Sequence, residues 1–126
     1  MIKHIKARME NALTVRNLAA AQYDDGERDL NNRLIAIVGE LRTRFAATKY
    51  AVADITYRIE TFKTDGQDIV GVRLTIHRLQ QMQNEYYATS LRTTKEIDEV
   101  FAKEGMRNWS MENFEDNSRV TTIVYL

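Results

Sequence analysis

The sequence predicts an α+β fold: an antiparallel five-stranded sheet with an N-terminal helical hairpin and one further helix, in the order α-α-β-β-β-α-β-β. Three observations carry this. Apolar residues step by three and four through the first 50 positions, the spacing of a helix face. From Ile55 to Ile76 the step changes to two, on either side of Thr64-Asp65-Gly66-Gln67. Thr93 and Glu96 then form a capping-box pair, and Gly105 follows at the far end of the helix they open.

The first helix is expected from Ile2 to Gln22, with Ile2, Ile5, Met9, Ala12, Leu13 and Ala19 opposite Lys3, Lys6 and Arg8. Tyr23-Asp24-Asp25-Gly26 is expected to break it, an Asp there capping the next helix. The second helix is expected from Glu27 to Thr48 on the stripe Leu30, Leu34, Ile37, Leu41 and Phe45, widened by Ile35 and Val38. Two helices on a short connection imply an antiparallel pair.

The alternating segments Ile55–Ile59 and Val70–Ile76 form a hairpin, because Asp-Gly suits the two-residue turn that joins twisted strands. With Asp65 and Gly66 in the turn, Ile55 faces Ile76, Tyr57 faces Leu74 and Ile59 faces Val72. Each apolar residue lands on another, which fixes the register. Tyr86–Leu91 reads as a third strand beyond a Gln-rich connection. The helix after Thr93 carries Ile97, Val100 and Phe101. Trp109–Phe114 and Arg119–Leu126 read as the last two strands, with Trp109 expected to seal an edge of the core.

The chain is expected to be one domain over 1–126, helical hairpin over 1–50 and sheet with one helix over 51–126. It has 126 residues, 44% hydrophobic and 29% charged, which is globular composition. Cysteine is absent, so disulfides, thiolate nucleophiles and thiolate metal sites are excluded; this suits the cytoplasm. Lys and Arg number 18 and so do Asp and Glu, which argues against a nucleic-acid binder. The balance hides a gradient: nine basic and six acidic residues over 1–50, and four basic and seven acidic over 93–126. Opposite ends of that kind attract, within a chain or between copies. No apolar run is long enough for a membrane span, and no membrane partner is expected.

The polar face of the hairpin is the candidate site. There Arg58 faces Arg73, Thr56 faces Thr75 and Asp54 faces His77. Two arginines directly opposite repel each other, with Glu60 nearby as a partial neutraliser. A guanidinium offers a planar fork of donors to phosphate or carboxylate. Arg58 and Arg73, edged by His77, are therefore expected to hold an anion, and Gly71 to leave a bare patch for its approach. Tyr87, one of two adjacent tyrosines on opposite strand faces, is a further ligand-binding candidate. The opposite Asp54 and His77 have the look of a base with its orienting carboxylate, but no serine stands beside them at a short spacing. No catalytic residue, metal ligand set or cofactor motif is expected.

The expectation is a non-enzymatic binding protein, homo-oligomeric, taking a nucleotide-like anion or an acidic protein surface. An alternative is a phage-type accessory protein that inhibits or sequesters part of a host defence. The run of helix, three strands, helix, two strands also resembles the small dimeric secretion-type chaperones, which implies a dimer that binds another protein. This chain adds an early helix and ends on a strand.

Overall fold

A computed structural model describes residues 2–14, 19–46, 52–78, 95–114 and 120–126. Helix α1 spans Ile2–Thr14, α2 Ala19–Ala46, and residues 95–103 form α3; the strands are β1 Val52–Thr64, β2 Gln67–Arg78, β3 Asn108–Phe114 and β4 Val120–Tyr125. The described residues thus give an antiparallel sheet of four strands, not the five expected, in the order β1-β2-β4-β3. The expected strand at Tyr86–Leu91 lies outside the described residues, as does the capping residue Thr93. The run of three consecutive strands behind the chaperone resemblance is therefore not present among them.

The helical pair forms, but its break is misplaced by the sequence reading. Tyr23-Asp24-Asp25-Gly26 lies inside α2. Glycine costs a helix interior about 1 kcal/mol relative to alanine, and here packing overrides that preference. A Cβ at Gly26 would stand 2.5 Å from Met9 Cγ, so the missing side chain lets α1 approach α2. Tyr23, one turn earlier, packs against the core. Arg8 meets Asp29 at 2.8 Å, which with Met9 against Gly26 sets the two helices antiparallel.

The β1–β2 hairpin has the expected register throughout, from Asp54 against His77 to Thr64 against Gln67. Asp65 and Gly66 have φ of 52° and 77°, the two positive values of a type I′ turn. Ile55 from β1, Val70, Val72, Leu74 and Ile76 from β2, and Ile123 and Tyr125 from β4 are buried in one cluster with Leu30, Leu34, Leu41 and Phe45 of α2. The helices therefore cover one face of the sheet. Helix α3 adds Ile97 and Phe101, whose ring stacks on Tyr125 at 4.2 Å.

Helix α3 ends as its sequence predicts. Gly105 has φ of 82°, its N–H donates to Ala102, and Met106 N–H donates back to Phe101 at 2.9 Å. Together these are a Schellman cap with its buried Phe101–Met106 pair. Glu104 beside it is only 8% exposed. Its carboxylate accepts Arg33 Nη2 at 2.5 Å and the Ile2 N–H at 3.2 Å, joining all three helices. Burial pushes this carboxyl up, but the Arg33 and Ile2 bonds outweigh it and leave it below the usual carboxylate range. No helix among the described residues is long and apolar enough to cross a membrane.

Candidate functional site: the open face of the sheet

Strand alternation sends Arg58, Glu60 and Phe62 of β1 to the face opposite the helices, together with Arg73, Thr75 and His77 of β2. Arg58 and Arg73 are brought together there, and one carboxylate lies between them. Glu60 Oε1 accepts Arg58 Nε at 2.7 Å and Arg73 Nε at 2.9 Å, and Oε2 accepts Arg73 Nη2 at 3.1 Å. The Arg73 bonds, helped by those of Arg58, hold the Glu60 carboxyl below its ordinary range despite some desolvation. Glu60 in turn raises Arg73. The repulsion expected of facing arginines is thus absorbed by a shared anion. Two guanidinium groups on one carboxylate still leave an excess positive charge. The Arg58 side chain is 73% exposed and that of Arg73 33%.

The bare patch expected at Gly71 is filled by the chain itself. A Cβ there would stand 2.6 Å from Leu126 Cδ2, 2.8 Å from Phe62 Cε2 and 2.8 Å from the Tyr125 carbonyl oxygen. Phe62 leans over the glycine towards the far side of the sheet. Its ring lies 5.5 Å from that of Trp109, and Arg73 sits 5.9 Å from its centroid. Trp109 does not seal the core edge as expected: it is 57% exposed. The open face therefore carries an aromatic pair beside the arginine–glutamate cluster.

His77 stands at the other end of this face, its Nε2 at 3.2 Å from Thr56 Oγ1. It is opposite Asp54 in register, but the Asp54 carboxylate is held by the Ile55 N–H at 2.8 Å and by Arg42 Nε at 2.7 Å. Those bonds, the first above all, keep the Asp54 carboxyl below its usual range. The base–carboxylate pair suggested by the register is therefore not assembled: Asp54 turns to Ile55 and Arg42, and His77 to the Thr56 hydroxyl. Tyr87 lies outside the described residues. Among them, no cluster of His, Asp or Glu side chains is arranged to hold a metal ion.

Phe62 and Arg42 carry no expectation from the sequence, and Trp109 carries only that of sealing a core edge. Phe62 shares its strand parity with Arg58 and Glu60, so its place on the polar face was readable. Arg42 reaches from α2 to the Ile55 carbonyl at 2.7 Å, a contact between distant elements that no local pattern announces. No known protein family, no curated protein and no solved structure matches this chain.

Proposed function

We propose that this chain is a non-enzymatic binding protein that takes an anionic group, phosphate or carboxylate, on the open sheet face, and that it acts as a homo-oligomer. The observation behind this reading is the convergence of Arg58 and Arg73 on a single carboxylate, with Arg58 largely exposed. Glu60 occupies the position of a guest: its two oxygens take the guanidinium donors that a phosphate would use. Binding is then an exchange, in which the guest displaces Glu60 from one arginine and gains the uncompensated charge. An acidic protein surface is favoured over a free anion by Trp109 and Phe62, because aromatic and arginine side chains together are what binding hot spots use.

Inorganic pyrophosphate tests this, with the fluorescence of Trp109, the single tryptophan, as the reporter. Arg58→Gln with Arg73→Gln is expected to weaken binding about tenfold or more, the loss of at least one charge-assisted bond. Glu60→Gln is expected to tighten it, because the internal competitor loses its charge. Pyrophosphate affinity that ignores all three substitutions would refute the site.

A further inference from the structure

Strand β1 is an edge strand: among the described residues it pairs only with β2. Two independent observations show which of its main-chain groups face outward. In a two-residue hairpin the residues flanking the turn, here Thr64 and Gln67, exchange hydrogen bonds, so the even-numbered residues of β1 bond to β2. Ile55 shows the opposite parity directly: its N–H goes to Asp54 Oδ1 and its carbonyl to Arg42 Nη2. The register runs unbroken from Asp54 to Thr64. The N–H and C=O of Tyr57, Ile59 and Thr61 therefore point away from the sheet, along an edge that no other described strand meets.

Natural edge strands of this length are usually blunted by proline, a bulge or covering chain. Among the described residues, Arg42 covers the Ile55 end and the register shift between Val52 and Asp54 lies beyond it, which leaves Tyr57 to Thr61 without either device. Alongside these residues a groove of about 510 Å³ runs between α2 and β1, lined by Asp24, Glu27, Arg28, Asn31, Tyr57 and Ile59 with Arg58 at the rim. Ile35, one turn past Asn31 on α2, is 55% exposed.

We infer that the outer edge of β1 is the seam between two copies of this chain, paired antiparallel about a two-fold axis through Ile59. This rests on the self-association in the function proposed above and names its surface. Charge complementarity selects the occupant and the register together. With the axis at Ile59, Arg58 stands opposite Glu60 of the partner subunit, and Glu60 opposite Arg58 of the partner subunit. Tyr57 stands opposite Thr61 of the partner subunit, and their outward N–H and C=O groups exchange bonds. Moving the axis one residue either way sets arginine against arginine or glutamate against glutamate. The Arg58–Glu60 pairs fall at non-hydrogen-bonded positions, where facing side chains come closest. The two open faces then join into one, and the guanidinium clusters of both copies meet across the seam. The proposed anion site is thereby shared between the subunits.

Sedimentation of the full chain over a concentration series tests the seam. The unaltered chain is expected to dimerise. Thr61→Pro removes an outward N–H from an exposed position, which an edge strand tolerates, and by symmetry removes it twice. It is expected to raise the dimer dissociation constant about tenfold or more with the circular dichroism spectrum unchanged. Arg58→Glu is expected to do the same, and Glu60→Arg likewise. An equal mixture of those two variants restores both charge pairs and is expected to dimerise where neither does alone. A chain that stays monomeric throughout, or a dimer indifferent to Thr61→Pro and to Arg58→Glu, would overturn the seam. A persistent dimer of that kind leaves self-association standing, and pyrophosphate binding stands or falls separately.

Discussion

On the helix-facing side of β2, Val70, Val72, Leu74 and Ile76 lose nearly all contact with solvent, whereas the intervening Arg73, Thr75 and His77 stay half-exposed. The same strand thus obeys two sets of rules. On the covered face, apolar area removed from water sets the energy, and each side chain counts through its neighbours. On the open face, charge is balanced in a medium that screens it, and single contacts count for little. The covered face specifies the fold, and the open face is free to carry function.

The largest expected effect comes from breaking that asymmetry directly. Leu74→Ala, in the middle of the covered face with no exposure, is expected to cost about 3 kcal/mol in urea denaturation, transfer plus cavity. Thr75→Ala, its neighbour on the open face, is expected to stay within about 0.5 kcal/mol. Equal losses at the two positions would mean that the open face is covered by something else.

Gly71 sharpens the comparison, because it belongs to the open face yet is enclosed. Phe62 and Leu126 occupy the space above it, and the Tyr125 carbonyl lies 2.8 Å from where a Cβ would stand. Gly71→Ala is therefore expected to destabilise by about 2 kcal/mol, the cost of overpacking against a neighbour that cannot swing aside. A neutral result would show that Phe62 is free to leave, and would reopen the approach to the backbone.

How far each face was legible follows from the same contrast. Pairing Ile55 with Ile76 and Tyr57 with Leu74 needed only alternation and an Asp-Gly turn, because a one-residue slip would have turned every apolar side chain outward. The C-terminal end of α3 was legible through Gly105 for a similar reason: only one conformation closes that helix cheaply. The join of α1 and α2 was not. Asp24, Asp25 and Gly26 carry a local preference against helix, and what overrides it is Met9, seventeen positions earlier. On the open face, alternation placed Arg58, Arg73 and Glu60 together but could not show one carboxylate taking both guanidinium groups, which depends on how three long side chains settle. Nor could it show Phe62 lying across Gly71, since strand parity tells which way a side chain starts and not how far it reaches.

The two engaged glutamates, one in each setting, carry the comparison over to charge. Glu104 sits in the helical layer with Arg33 and the Ile2 N–H; Glu60 sits on the open face between two arginines. Both carboxyls are held below their ordinary value near 4.5 in the folded chain. A lowered folded value means stability that is fully present above the unfolded value and drains away as pH falls through the folded one. The unaltered chain is therefore expected to lose stability as acid is added below pH of about 4.5, and each Glu→Gln variant to remove its own share of that slope. Glu104→Gln is expected to cost about 2 kcal/mol at neutral pH, because the buried Ile2 N–H and the partly buried Arg33 lose a charged acceptor, and this loss should persist in concentrated salt. Glu60→Gln is expected to cost under about 1 kcal/mol, as for a pair open to solvent. That smaller loss should shrink further at about 1 M salt, where screening acts within about 3 Å. The measurement is the pair of stability-against-pH curves at low and high salt. If Glu60→Gln proved the costlier of the two, or resisted salt as Glu104→Gln does, its cluster would be a structural clasp, and the charge available to a guest on that face would have to come from elsewhere.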